Sequence, residues 1–391
     1  MINNTFSFWP SFTKEESEAV QAILFSNRVN YWTGNEVRLF ETEFAQWFDS
    51  SFAIALMNGS VALEIALRES GLGPGDEVIV TPRSFIASVS SVVAVRATPV
   101  FADVNSNSGN ICVETIAPLI TSRTKAILCV HLAGWPCEME EILDLAKEHD
   151  LSVIEDCAQA HGAIYRGKSV GSWGEIGAWS FCQDKIMTTG GEGGMVTTQN
   201  ERLWNKMWSY KDHGKSYEAV QQQEHPPGFR WLHESFGTNG RMLEMQAAIG
   251  RIQLQRMPHW HQQRTKHSLH LQEACLSCTA LRTPIPPPHI EHAWYKFYTY
   301  VRPETLSSSW SRERILSEIN ALGVHCYSGS CSEIYLEKAF DGTGWRPKER
   351  LPVARQLGET SLMFLVHPTL TELEIEQTAE SIKNVMNKAK R

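Results

Sequence analysis

The sequence predicts an α/β fold: a large three-layer unit with helices on both faces of a mostly parallel sheet, then a small C-terminal α/β unit. Three observations predict it. Short apolar runs bounded by turn residues alternate with helix-length segments from Ala53 to Thr198, as strands buried on both faces and joined by helical crossovers do. Polar or glycine-containing turns follow several of those runs, where such a sheet presents its ligands, beyond the carboxyl ends of its strands. The proline cluster Pro284-Ile285-Pro286-Pro287-Pro288 then marks a second unit. A chain of 391 residues has room for both. We place the large unit at residues 1–260 and the small one at 261–391, with a long linking helix near the boundary.

Each element follows in order. Residues 14–30 read as an amphipathic helix, Tyr31-Trp32-Thr33-Gly34 as a turn, and Leu39–Phe48 as a second helix. Ala53–Leu56 is a strand; Met57-Asn58-Gly59-Ser60 turns into the helix Val61–Glu69, which Gly71 and Gly73-Pro74-Gly75 stop. Strand, glycine turn, helix aims backbone N–H groups at an anion such as phosphate, although Asn-Gly-Ser is also an ordinary turn and helix cap. Strands follow at Glu77–Val80, Thr98–Val104, Lys125–Leu132 and Leu151–Cys157, with a helix at Glu138–His149. Ile176–Cys182 and Met195–Thr198 are further strands, and Glu201–Tyr210 is a helix. Residues 215–235 form a polar excursion, longer than the ~12–15 residues usual for a structureless connection. Helices at Glu244–Arg256 and Trp260–Cys275, a strand at Ala293–Val301, and helices at Arg312–Leu322 and Glu372–Lys388 complete the chain. By the strand-end rule Phe85, His131, Asp156 and Lys185 converge on one crevice.

Composition narrows the function. Hydrophobic residues make up 42% and charged residues 20%, ordinary for a globular protein, and the formal net charge is −8. That charge offers no bulk attraction to nucleic acid or an anionic membrane, so an anionic small molecule must be held by local groups. The 13 tryptophans fit a packed interface or sugar-stacking surfaces equally. Nine scattered cysteines, with Cys275-x-x-Cys278 lacking a second pair at zinc spacing, read as reduced thiols and not as a metal site. Met1–Lys14 has no signal-peptide pattern, and no apolar run approaches the ~18 residues a membrane helix needs. The expectation is a cytoplasmic protein with a small-molecule partner.

The chemistry centres on Trp179-Ser180-Phe181-Cys182-Gln183-Asp184-Lys185-Ile186-Met187-Thr188-Thr189-Gly190-Gly191-Glu192-Gly193-Gly194-Met195, which joins the last two strands of the large unit. A lysine at a strand end, walled by apolar residues, loses water; the neutral amine this favours attacks carbonyls and forms Schiff bases. No G-x-x-x-x-G-K-[ST] is present, so the glycines are not a P-loop. On its own such a stretch is more often a plain turn. Asp156 in Glu155-Asp156-Cys157-Ala158-Gln159-Ala160-His161-Gly162 is a carboxylate at a strand end that needs a partner; a helix cap is its plainer role. An acid–base pair of Glu155 and Asp156 is disfavoured, because neighbours on a strand point to opposite faces.

The stretch Ser180-Phe181-x-x-x-Lys185 with its Thr-Gly-x-Glu-Gly-Gly turn resembles the lysine signature of the DegT/DnrJ/StrS-like aminotransferases, with one glycine more than their usual spacing. Gly59-Ser60-Val61-Ala62-Leu63, Thr81–Ser88, Glu155–Gln159, Lys211-Asp212-His213-Gly214 and Gly237–Met242 are similar to that family's other motifs, in the same order, over roughly residues 15–375. The resemblance implies an aspartate-aminotransferase-like fold of the pyridoxal-phosphate (PLP) type I class. It implies that the chain aminates a keto-sugar, nucleotide-linked, with glutamate as donor, toward a surface polysaccharide or a glycosylated metabolite. It also implies roles. Lys185 is the Schiff-base lysine. Gly59, Ser60 and Ser180 bind the cofactor phosphate, Phe85 stacks on the ring, Asp156 holds the pyridine nitrogen, and Gln159 lies beside the ring. Asn239 reaches the phosphate of the neighbouring subunit in a homodimer. Two alternatives stand beside this reading. A related sugar dehydratase carries histidine in place of the lysine, which Lys185 opposes; a non-catalytic regulatory protein on the same fold is the other. His325-Cys326-Tyr327-Ser328-Gly329-Ser330-Cys331 differs from the substrate loop of many relatives, so the sugar is left open.

Overall fold

The structure is a computed structural model describing residues 6–222, 224 and 226–391. Residues 1–5, and residues 223 and 225 of the polar excursion, lie outside the described residues.

Among the described residues, fourteen strands form three sheets. The largest takes β1 (Phe52–Leu56), β2 (Glu77–Val80), β3 (Thr98–Phe101), β4 (Thr124–Val130) and β5 (Ser152–Asp156). The hairpin strands β6 (Ile164–Tyr165) and β7 (Lys168–Ser169) lie apart, and β8 (Ile176–Ser180) and β9 (Gly194–Thr198) complete the large sheet. Its order is β1-β9-β8-β5-β4-β2-β3. The pairs β2–β3, β2–β4, β4–β5 and β5–β8 are parallel, and only β9 runs against its neighbours. Every residue of β2, β8 and β9 is buried, as strands covered on both faces must be. The apolar core packs Phe40, Phe44 and Phe48 of the helix Glu36–Trp47 against Trp179 and Phe181.

The C-terminal part brings β10 (Leu281–Arg282), β11 (Ile290–Glu291), β12 (Phe297–Val301), β13 (Cys326–Tyr327) and β14 (Ser361–Phe364). Four of these form an antiparallel sheet, β10-β12-β14-β13, with its own apolar cluster around Phe297, Leu362, Phe364 and Ile382. β11 pairs with β6 in the small third sheet.

Two readings of the sequence are corrected. The helices expected at Glu244–Arg256 and Trp260–Cys275 are one helix, Glu244–Leu276, of 33 residues with Pro258 inside it. An interior proline costs about 3 kcal/mol of helix stability. Buried Ala247, Leu254, Met257, Trp260 and Leu271 anchor the helix on both sides of it, so packing overrides the break. The excursion at 215–235 is not structureless: Tyr217–Gln221 is a short helix capped by Ser216. Tyr217 packs edge-on against Trp204 and Trp208.

Candidate active site

The carboxyl ends of β1, β5 and β8 open onto a cavity of about 680 Å³. Gly59, Ser60, Phe85, Asp156, Gln159, Ser180 and Lys185 all line it.

The floor begins at the helix Gly59–Glu69. Its capping residue Asn58 accepts the N–H of Val61 at 2.9 Å. The N–H groups of Gly59 and Ser60, the first two of the helix, have no intrahelical acceptor by position, and the helix dipole adds partial positive charge there. Gly59 packs so closely on β8 that a Cβ would lie 2.6 Å from Ser180 Cβ and 3.0 Å from Ser180 Oγ. The serine hydroxyl and the two N–H groups are thereby gathered at one end of the cavity.

Asp156 closes β5 and is buried. Its Oδ2 accepts the Ser88 hydroxyl at 2.7 Å, Ser88 in turn meets Ser84 at 2.9 Å, and Oδ1 accepts the Ala158 N–H at 3.1 Å. Burial raises its pKa above the ordinary carboxylate range, and the Ser88 and Ala158 hydrogen bonds offset this only in part. Gln159 is buried too, not solvated, and its Oε1 accepts the Ala133 N–H at 2.8 Å. Phe85 presents its ring at 67% exposure from the loop before the helix Ala87–Ala94.

Lys185 sits in the turn after β8, its side chain 15% exposed. Its carbonyl accepts the Trp9 indole N–H at 2.8 Å, fixing the backbone. Its Nζ lies 5.2 Å from the centre of the Tyr295 ring and 3.9 Å from Asp184 Oδ1. The other Asp184 oxygen accepts the Tyr295 hydroxyl. Burial pushes the Asp184 carboxyl up, but Lys185 and Tyr295 together hold it below its usual range; burial and Asp184 push the Tyr295 phenol well up. The extra glycine falls in a stretch where Gly191 has φ +126°, a conformation only glycine takes freely.

Two of the expected residues lie outside this chain's cavity. His131 does not reach the cavity. It is fully buried, its Nδ1 accepts the Cys137 N–H at 3.0 Å, and its Nε2–H therefore donates to Glu155 Oε2 at 3.0 Å. Glu155 points away from Asp156 because successive strand residues alternate faces. Asn239 is exposed, outside its own chain's cavity, bridged to Asp212. Residues that the sequence reading left unassigned are Ser88, Asp184 and Tyr295. Ser88 is three positions past Phe85 in a stretch already singled out, and Asp184 precedes the lysine. Tyr295 is far along the chain from Lys185 and carries no local signal.

The residues fit pyridoxal phosphate on three observations: free helix N–H groups beside a serine hydroxyl, a buried carboxyl with only neutral donors against it, and a primary amine at the same cavity. Among the described residues, no helix is long and apolar enough to cross a membrane.

Comparison with known proteins agrees. The sequence model of the DegT/DnrJ/EryC1/StrS aminotransferase family matches residues 10–383. The solved structure of the aminotransferase from Psychrobacter cryohalolentis is 62% identical, with TM-score 0.97 over 98% of this chain and 99% of that one. A GDP-perosamine synthase of Escherichia coli O157:H7 is 42% identical over 248 residues, 63% of this chain and 65% of that protein. A dTDP-3-amino-3,4,6-trideoxy-alpha-D-glucose transaminase of Streptomyces venezuelae is 31% identical over 94% of this chain and 91% of its own.

Proposed function

This chain belongs to the DegT/DnrJ/EryC1/StrS aminotransferase family and is a pyridoxal-phosphate-dependent aminotransferase; on that premise we propose that it moves an amino group from glutamate to a nucleotide-linked keto-sugar. The product would be an amino sugar for a surface polysaccharide or a glycosylated metabolite. The observation that carries the reading is the meeting of Lys185, Asp156, Phe85 and the Gly59–Ser60 helix start around one cavity at the strand ends. The names of the relatives, a GDP-linked and a dTDP-linked sugar enzyme, support the substrate class and leave the nucleotide open.

When bound, pyridoxal phosphate supplies an electron sink for the carbon that loses its proton. The chain's residues do the rest. Lys185 would hold the cofactor aldehyde through its amine and, as a free amine at the cavity, would take a proton from the donor carbon as base and return one as acid. Asp156 keeps a proton on the ring nitrogen; Ser88 and the Ala158 N–H aim its carboxylate. Phe85 covers a ring face, worth about 0.5–1.5 kcal/mol beyond buried area. The Gly59 and Ser60 N–H groups and the Ser180 hydroxyl take the phosphate, and Asn239 of the partner subunit completes that end in a homodimer. Tyr295 and Asp184 hold the end of the Lys185 side chain over the site.

The test is direct. Borohydride should fix the cofactor on the protein, and peptide mapping should find it on Lys185; a label on another lysine overturns the assignment. Mass spectrometry of the product from glutamate and GDP- or dTDP-linked keto-sugars then identifies the substrate. Turnover of none of them, nor of UDP-linked keto-sugars, with an active donor half-reaction, would refute the sugar reading.

A further inference from the structure

Ahead of the helix Lys14–Ser26, residues 6–9 cross from the small unit to the turn that carries Lys185. The small unit holds the first three of them. Phe6 is buried in the apolar cluster of Phe297, Leu362 and Phe364, and meets the His325 ring edge-on at 5.6 Å. The Ser7 N–H and hydroxyl donate to the two carboxylate oxygens of Glu374, in the first turn of the helix Glu372–Ala389. The Phe8 carbonyl accepts the Thr369 hydroxyl at 2.8 Å.

Trp9 stands at the seam. Its ring lies beside that of His367 in the small unit, centres 6.1 Å apart and planes 20° from parallel, and meets Trp260 of the long helix edge-on at 5.0 Å. The buried Arg264 guanidinium is 5.3 Å from the Trp9 ring centre. The indole N–H is the directed contact: it donates to the Lys185 carbonyl, 176 positions along the chain, at 2.8 Å.

That bond completes the support of the lysine backbone. The Lys185 N–H donates to the Cys182 carbonyl at 3.1 Å, within its own turn. The carbonyl on the other side is held from outside, by Trp9. Both peptide planes that flank the Lys185 Cα are therefore set, and with them the direction in which its side chain leaves. Arg264 extends the support, because its Nη1 donates to the carbonyls of Trp294 and Tyr295 at 3.2 and 3.4 Å, and the Tyr295 ring is the one 5.2 Å from the Lys185 Nζ. A plain packing role calls for the faces and edges of the Trp9 ring, not for an N–H aimed at one carbonyl.

We propose, on the reading that Lys185 is the Schiff-base lysine, that Trp9 is a positioning residue for it. The strap at 6–9 mounts the indole on the small unit, and the indole N–H holds the Lys185 peptide so that the amine keeps one approach to the cofactor and the donor carbon. Such alignment matters to rate because a misplacement of about 1 Å can cost roughly a hundredfold.

The experiment compares the cofactor-loaded natural protein with Trp9→Phe, which keeps a ring at the seam and deletes the N–H. Backbone hydrogen exchange, read by peptide mass spectrometry, should quicken at residues 182–189 by roughly twofold to tenfold, the worth of one hydrogen bond. It should not change in β2 or β5. The donor half-reaction at saturating glutamate should slow by a similar factor, with the half-saturating glutamate concentration unchanged, because alignment is lost and binding contacts are not. Borohydride should still label Lys185. Unchanged exchange in the turn overturns the proposal, as does an unchanged half-reaction. Exchange that rises equally through the sheet overturns it too, since that is the mark of general packing. A label on another lysine in the natural protein refutes the proposed function itself, and the positioning role with it; a label on Lys185 with no effect of Trp9→Phe refutes the positioning role alone. If the natural protein does not react with glutamate, the donor assignment fails and the exchange decides by itself. Should Trp9→Phe not fold, benzothienylalanine at position 9 keeps the shape of the indole with sulfur in place of the N–H, and the same outcomes decide.

Discussion

Substituting alanine for Gly59 tests the geometry of the phosphate end. The new Cβ would stand 2.6 Å from Ser180 Cβ and 3.1 Å from Ser180 Cα. Carbon atoms in contact settle at about 3.5–4.0 Å, so the two elements must part by roughly 1 Å. Ser180 cannot give easily, because it is paired in register with Gly194 inside a fully buried strand. The start of the helix Gly59–Glu69 must move instead, and with it the N–H groups assigned to the phosphate. Overpacking of this kind costs about 1–3 kcal/mol. If that strain falls on the bound state, cofactor affinity drops by roughly tenfold to a hundredfold, at 1.4 kcal/mol per factor of ten. The assay is equilibrium dialysis of the cofactor with Gly59→Ala, Ser180→Gly and the double variant. Ser180→Gly alone loses a hydroxyl donor, about 0.5–1.5 kcal/mol. The double variant has no Ser180 Cβ to meet the alanine and keeps only the 3.1 Å approach to the Cα of residue 180, so its loss should fall well short of the sum of the two single losses. Wild-type affinity in Gly59→Ala, or two losses that simply add, would refute the argument.

Further outcomes are expected. Asp156→Asn should lower turnover far more than cofactor affinity, because the proton on the ring nitrogen is lost while the phosphate contacts stay; steady-state rates set against the dissociation constant check this. Asn239→Ala should loosen the cofactor by roughly tenfold at most. A hybrid dimer of Asn239→Ala with Lys185→Ala should keep about half the activity with natural cofactor affinity, since its one intact site then holds both residues; survival only with weakened binding would place Asn239 in its own subunit's site. Burial holds His161, His292 and His367 at about 3, against 6.5 for an ordinary histidine. In the folded chain they stay neutral while the unfolded chain takes up protons below 6.5, so stability is lost as pH falls from about 6.5 toward 3. Each contributes about 1.4 kcal/mol of that loss by pH 5.5. Urea unfolding free energies at pH 7.5 and 5.5 should show it, and His161→Gln should shrink the difference by about 1.4 kcal/mol.

Much of this was readable before any coordinates. The alternation of apolar runs fixed the parallel sheet, because a strand buried on both faces has no polar face to confuse the pattern. The strand-end rule then placed Asp156, Phe85 and Lys185 at one cavity. It failed for His131, since the rule locates a strand's end but not the face its next side chain takes. Pro258 misled for a different reason: helix propensity is local, and the packing of the 33-residue helix is not. Tyr295 was invisible because its contact with Asp184 spans 111 positions and depends on the second sheet's placement.

Glu155, Asp156's neighbour on β5, takes no part in the chemistry, yet its surroundings bear on how the chain finds its fold. Its Oε1 accepts the N–H groups of Trp173 and Gly174, and its Oε2 those of Gly171 and His131. Four donors, three of them backbone, are shaped around a glutamate at that position and no other. If β5 slid by one residue against β4, either Glu155 would enter the cavity and Ile154 would face the four donors, or Asp156 would face them with a side chain too short to span them. The flanking residues of this strand are apolar on both faces, so hydrophobic contrast alone would tolerate such a slip. The paired carboxylates give the sheet an electrostatic means of proofreading: one alignment satisfies both, and a shift in either direction leaves donors unmet at the centre of the molecule.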